Sequence, residues 1–163
     1  INARCETLSQ KPSFSIAYKK HRCLIISDGF YEWKQDPTSK TKTPIYIRMK
    51  SEKPFAFAGL WAIWSKQNEN PIFSCSIITT NPNQLMKKFH NRMPVIIPKE
   101  SYDRWLSPEN RRANELNHLL CPYPETEMIA YPVSTIVNNP KTNSPACIKP
   151  FNPREKLYQA TLF

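Results

Sequence analysis

Three short polar runs hold the residues able to do chemistry. Residues 28–33 read D-G-F-Y-E-W, so that Glu32 sits between Tyr31 and Trp33. A carboxylate desolvated by aromatic neighbours has its pKa raised and becomes a candidate general acid or base. Residues 90–94 read H-N-R-M-P and set the His90 imidazole two positions from the Arg92 guanidinium. Histidine with glutamate supplies acid–base work near neutral pH, while arginine with asparagine supplies contacts to anions and carbonyls. The third run, Asn2-Ala3-Arg4-Cys5-Glu6-Thr7, is densely polar without structural periodicity. Each has a blander alternative: Glu32 on the outer face of a strand, His90 capping a helix or bonding within the core, Arg4 and Arg92 in ordinary salt bridges. His21 and His118 lack acidic or nucleophilic neighbours and are expected at the surface or in packing. Trp33, Trp61, Trp64 and Trp105 fall at strand and helix spacing, which places them in the core rather than on a stacking platform.

The elements that must position these runs are mostly strands. Arg22–Ser27 is rich in β-branched residues and runs into Asp28-Gly29, a turn signal ahead of Phe30 to Trp33. Residues 44–48 alternate apolar and polar positions, and the polar, basic segment 35–43 before them reads as an exposed hairpin loop. Phe55–Trp64 is long and apolar around Gly59, which predicts a bulge or kink there. Ile72–Thr80 is a further strand ending on Thr79 and Thr80; Pro82 opens a short helix to about Phe89, and residues 93–97 return as a strand. Helices are expected over 98–106 and, capped by Ser107 and Pro108, to about Leu120, before a last strand at 128–133. An Asn- and Pro-rich loop and a basic tail over 150–163 follow. With no repeat and no linker, the pattern is a single α+β domain.

Composition removes whole classes of function. The 163 residues contain only two glycines, Gly29 and Gly59, thirty positions apart, so there is neither a dinucleotide fingerprint nor a P-loop. Five cysteines, an odd number without a C-x-x-C pair, argue against a disulfide framework and a zinc site; free, largely buried thiols in a reducing compartment are expected. No signal peptide or membrane-length apolar run is visible, which reads as an intracellular chain that is not secreted. Lys+Arg exceed Asp+Glu by 23 to 13, a formal charge of +10, and the first fifty residues carry +6 of it. A positive face of that kind points to an anionic partner, nucleic acid foremost.

Taken in order, Asn2-Ala3-Arg4-x-Glu6-Thr7, then residues 22–33, then His90-Asn91-Arg92-Met93-Pro94-Val95-Ile96, resemble the SOS response-associated peptidase (SRAP) family. Tyr131-Pro132-Val133-Ser134 and Val137-Asn138-Asn139 are similar to that family's C-terminal segment, so the resemblance spans Asn2 to about Asn139. It implies a strand-rich, barrel-like core with a few short helices. It also implies a protein that senses abasic sites in single-stranded DNA and links itself to the ring-opened sugar aldehyde through an N-terminal cysteine. That cysteine's α-amine and thiol close a thiazolidine, and the initiator Met is removed autoproteolytically. Asn2 would position the cysteine, Glu32 and His90 would assist proton transfer, and Arg4, Thr79 and Arg92 would grip the DNA backbone. No cofactor, metal or membrane is implied, and a monomer is expected. The sequence opens on Ile1, and the family's Met-Cys-Gly-Arg start is not in it. Cys5 lies inside the N-A-R-x-E-T run without a free α-amine, so the expectation is an N-terminally incomplete chain that cannot crosslink alone. The alternatives are a non-catalytic single-strand binder retaining only the basic groove, and a peptidase of other chemistry, for which the residues offer no nucleophile–base pair.

Overall fold

A computed structural model of the chain describes residues 2–37, 41–65, 70–108 and 113–151. The strands are β1 (Asn2–Arg4), β2 (Arg22–Ser27), β3 (Phe30–Gln35), β4 (Lys42–Met49), β5 (Phe55–Trp64), β6 (Ile72–Thr80), β7 (Met93–Pro94), β8 (Ile96–Ile97) and β9 (Met128–Pro132). The helices are α1 (Pro12–Lys20), α2 (Tyr102–Leu106) and α3 (Ala113–Leu116). One sheet runs β1-β6-β5-β2 with β7 on β6 and β8 on β5; the other runs β3-β4-β9.

The two-residue period of the strands sorts their side chains into two cores. Ala3, Ala58, Leu60 and Ile78 face the helices and pack with Trp105, Leu116 and Tyr18. Phe57 and Ile77, on the opposite face of the same sheet, meet Phe30, Ile45, Ile47 and Ala130 of the second sheet. The second core is therefore enclosed between two sheets, the strand-rich, barrel-like α+β arrangement that the sequence led us to expect. On the outer face of the second sheet, Tyr31, Tyr46 and Tyr131 stand side by side across β3, β4 and β9. Gly29 is required at the turn into β3 because a Cβ there would overlap the Tyr46 ring.

Arg22 ties the helical layer to the first sheet. Its Nε donates to the Trp105 carbonyl at 2.7 Å, Nη1 to those of Tyr18 at 2.7 Å and Lys19 at 3.1 Å, and Nη2 to that of Ser107 at 2.5 Å. These are carbonyls at the C-terminal ends of α1 and α2, where a helix leaves acceptors unpaired and favours positive charge.

Several expectations change. The first half of the polar run at the N-terminus is a strand, β1, paired in parallel with β6, and its second half, Cys5–Thr7, is a 3₁₀ turn; residues 12–20, unassigned from the sequence, form α1. The helix expected from Pro82 to Phe89 shrinks to a 3₁₀ turn at Met86–Lys88. Asn83 is drawn inward: its Nδ2 donates to the Tyr123 carbonyl at 2.7 Å and its Oδ1 accepts the Met86 N–H at 2.9 Å, so the helical turn begins only beyond it. The strand over 93–97 splits at Val95, which bridges the diverging β5 and β6 by donating to the Ile78 carbonyl and accepting from Ala58 N, both at 2.8 Å. β5 pairs without a bulge on both sides of Gly59, so the expected kink is absent. The glycine is needed for space, since a Cβ would lie 2.8 Å from Cys23 Sγ and Ile25 Cδ1. Of the long helix expected after Ser107, the described part is α3 and a 3₁₀ turn at Asn117–Leu119; residues 109–112 lie outside the described residues, as do 38–40 of the expected hairpin loop and the tail beyond 151.

Of the four tryptophans only Trp105 belongs to a core; Trp61 is half-buried, its ring stacked on His21 at 4.2 Å. Trp105 is fully buried, but Trp33 and Trp64 are 39% and 53% exposed. Trp33 takes the outer face of β3 and donates Nε1–H to Asn138 Oδ1 at 2.8 Å, while Trp64 sits at the loop end of the β5–β6 hairpin beside exposed Ile63, Ile72 and Phe73. The cysteines are free, yet Cys147 alone is buried; Cys5 and Cys23 are half-buried, and Cys75 and Cys121 are exposed. No described helix is long and apolar enough to cross a membrane.

Candidate active site

The three polar runs converge at the mouth of the inter-sheet core. Along β3 the alternation turns Phe30 and Glu32 inward, opposite Ile47 and Ile45, and turns Tyr31 and Trp33 outward. Glu32 is therefore drawn into the apolar interior by the register of its strand. On β1, Ala3 is buried and its neighbours Asn2 and Arg4 share the other face, in register with Ile77 and Thr79 of β6. The loop between the Met86–Lys88 turn and β7 brings His90 and Arg92 to the same place.

The result is a cavity of about 200 Å³. Phe30, Phe57, Ile77, Met93 and Pro94 form its apolar lining; Asn2, Glu32, Thr79, His90 and Arg92 supply the polar groups, with Tyr31 at the edge. Five of the six site residues expected from the sequence thus share one cavity. Arg4, the sixth, is exposed beside it on the face of β1 that carries Asn2, and does not line it.

Burial holds the Glu32 carboxyl above the usual carboxylate range, opposed in part by the charge of His90 and by the Trp33 backbone N–H. A carboxyl raised by desolvation is a stronger base than an exposed one, which suits it to proton transfer. His90 is oriented by its own loop: the Arg92 backbone N–H donates to His90 Nδ1 at 3.0 Å. In the neutral ring that acceptor role leaves the proton on Nε2.

Arg92 reaches back to the turn after β1. Nη1 and Nη2 donate to the two carboxylate oxygens of Glu6 at 2.6 and 2.9 Å, and Nη2 also donates to the Thr79 carbonyl at 2.6 Å. Longer contacts join Nη1 to Asn81 Oδ1 at 3.5 Å and Nη2 to Thr79 Oγ1 at 3.4 Å. Its Nε is buried and has no partner. The hydrogen bonds from Arg92 hold the Glu6 carboxyl down at about 2. Glu6 is the residue to which sequence reasoning assigned no role. Its signal was weak, a lone carboxylate in a strongly basic stretch, and its partner lies 86 positions away.

An open groove of about 470 Å³ adjoins the cavity at His90 and is lined by Lys34, Gln35, Pro82, Lys87, Lys88, Phe89 and Asn91. Among the described residues there is no cluster of three or more His, Cys, Asp or Glu side chains suited to a metal ion.

Residues 1–140 match the sequence model of the family described as SOS response associated peptidase (SRAP). Over 150 residues the chain is 51% identical to the abasic site processing protein YoqW of Bacillus subtilis strain 168, covering 91% of this chain and 66% of that protein. It is 28% identical over 175 residues to the abasic site processing protein HMCES of Mus musculus, covering 91% of this chain and 49% of that one. A crystal structure of a protein from Bacteroides thetaiotaomicron superimposes with a TM-score of 0.85 at 33% identity, over 93% of this chain and 66% of that one. The chain thus spans less than two thirds of the length of these relatives.

Proposed function

The chain belongs to the SOS response-associated peptidase family, and on that premise we propose that it processes abasic sites in single-stranded DNA, supplying the sugar cavity and the acid–base groups. The observation that carries this reading is the convergence of Asn2, Glu32 and His90 on one cavity of about 200 Å³. That volume lies below the roughly 300–1,000 Å³ usual for drug-sized ligands and suits a single base-free sugar.

The chemistry follows from the positions of the groups. An abasic sugar is a cyclic hemiacetal. Its ring opens when the C1′–O4′ bond breaks, O4′ gains a proton and the C1′ hydroxyl loses one. His90 Nε2–H hydrogen-bonds O4′ as that bond breaks, O4′ takes its proton from solvent, and the Glu32 carboxylate accepts the proton from the C1′ hydroxyl, which becomes the aldehyde. Glu32, now a carboxylic acid, returns its proton to the water that departs when an amine condenses with C1′. In the reaction proposed for the whole protein, that amine is the α-amine of an N-terminal cysteine whose thiol then adds to C1′ and closes a thiazolidine. Asn2, on the edge strand at the cavity mouth, positions that cysteine.

Arg4 stands exposed at the rim, where a flanking phosphate can reach it. Thr79 lies in the cavity wall with its hydroxyl donating to the Ala3 carbonyl at 3.5 Å, and Arg92 orders that wall through Glu6 and Thr79, so that a phosphate shares its guanidinium with Glu6. Backbone contacts of this kind carry no sequence information, which suits a lesion sensor.

The test is equilibrium binding of a single-stranded oligonucleotide with one central abasic site against the same oligonucleotide undamaged. The reading expects tighter binding of the abasic strand, and loss of that preference in His90→Ala. Equal affinities would instead identify a non-catalytic single-strand binder.

A further inference from the structure

Ring opening needs His90 in one form, with the proton on Nε2 and Nδ1 left as an acceptor. The loop that carries the ring offers partners for both forms. Nδ1 lies 3.0 Å from the Arg92 backbone N–H and 3.3 Å from the Arg92 carbonyl oxygen. The first contact keeps the proton on Nε2. The second would draw it to Nδ1 and leave Nε2 with nothing to donate. The orientation of the Arg92 main chain therefore decides which tautomer faces the sugar.

That main chain is anchored through its own side chain. The Arg92 fork closes on both oxygens of the Glu6 carboxylate at 2.6 and 2.9 Å, and Nη2 also donates to the Thr79 carbonyl at 2.6 Å. A bidentate pair of this kind fixes direction as well as distance, and the Arg92 side chain is only 17% exposed. Glu6 is itself placed by the Cys5–Thr7 turn, directly after the three-residue edge strand that carries Asn2. One ion pair thus joins the strand of Asn2 to the loop of His90. Glu6 does not line the sugar cavity; it borders a separate pocket of about 240 Å³ with Leu8, Ser9 and Tyr18.

We propose that Glu6 is a positioning residue for the abasic-site reaction: acting through Arg92, it holds the His90 ring in its Nε2–H form and keeps β1, with Asn2, at the cavity mouth. The inference rests on the reading of the cavity as an abasic-sugar site and adds to it a residue that touches no substrate.

In Glu6→Gln an amide nitrogen faces one of the Nη donors, so only one arm of the fork survives. Nitrogen-15 NMR of the imidazoles at about pH 8.5, above the ordinary histidine range, reads the tautomers, and His90→Ala identifies the His90 signals. Wild-type His90 is expected in the Nε2–H form and Glu6→Gln as a mixture of the two. In an Arg92→Met background, Glu6→Gln is expected to change the ring no further. Glu52→Gln breaks the Arg48–Glu52 pair of 2.8 Å elsewhere on the surface and is expected to leave His90 as it is. In the whole protein, Glu6→Gln is expected to lower kcat for abasic-site processing roughly 10–100-fold with KM little changed, as misplaced proton-transfer groups do. A tautomer unaltered by Glu6→Gln, an equal change in Glu52→Gln, a further change in the Arg92→Met background, or a loss confined to KM would overturn the proposal. The wild-type preference for an abasic over an undamaged strand is measured separately. Its absence defeats the reading of the cavity, whereas the tautomer comparison needs no DNA and decides the role of Glu6.

Discussion

Replacing Glu6 with Gln removes one charge from the Arg92 pair while keeping the side chain's size. In the folded protein the Glu6 carboxyl lies at about 2, against an ordinary value of 4.5, and the chief cause is its hydrogen bonding to Arg92. Fully desolvated, such a depression would correspond to roughly 3 kcal/mol. The Glu6 side chain is 44% exposed, however, and solvent screening reduces this to about 1 kcal/mol. Because the folded value is depressed, the stabilisation is fully present above pH 4.5 and is lost as pH falls toward 2. Glu6→Gln is therefore expected to lower Tm by about 3 °C at pH 7, a gap that narrows steadily below pH 4.5. Calorimetric or circular-dichroism melts of both proteins from pH 3 to 7 measure it. Repeating the substitution in an Arg92→Met background isolates the pair, and there the loss is expected to shrink to a few tenths of a kcal/mol. An equal loss in both backgrounds, or a gap independent of pH, would refute the assignment of Glu6 to Arg92.

Three further outcomes test the layers beneath the site. Burial raises the Glu32 carboxyl, so its ionised form opposes folding and the associated stability is lost as pH rises through the folded value; Glu32→Gln should raise Tm at pH 7, by an amount that vanishes as pH falls below the ordinary carboxylate range, while abolishing processing in the whole protein. Arg22→Ala removes the guanidinium donors to the carbonyls of Tyr18, Trp105 and Ser107 and should cost about 3 kcal/mol or more by urea unfolding, and Arg22→Lys should not restore it because an ammonium cannot reproduce the planar fork. Gly59→Ala sets a methyl 2.8 Å from Cys23 Sγ and Ile25 Cδ1 and should cost about 1–3 kcal/mol, read as a lower urea midpoint at unchanged m.

Much of this protein was legible along the chain. A β-branched run located β2, a long apolar run located β5 and an isoleucine- and threonine-bearing run located β6, because a half-buried pleated surface selects such side chains locally. The chemistry-bearing runs were legible for a related reason: an acid between aromatics and an imidazole near a guanidinium are unusual enough to stand out without any fold. Two glycines in 163 residues sufficed to exclude phosphate cradles. What the chain could not express was whatever depends on partners distant in sequence. The three-residue β1 has no period to read, and it exists because β6, some 75 positions away, offers it a parallel edge. The expected helix after Pro82 gave way because Asn83 found the Tyr123 carbonyl 40 positions on. Composition could count the lysines, but only the packing of β3 beside the Met86–Lys88 turn lines three of them along one groove. Whether Glu32 faces solvent or the interior was undecided by its neighbours and fixed by the pairing of β3 with β4, which turns it toward the core. Residue type and spacing therefore determined which groups this protein has for chemistry. The tertiary structure decided which of them meet, and how far from water, since desolvation and hydrogen bonding act through space and not along the chain.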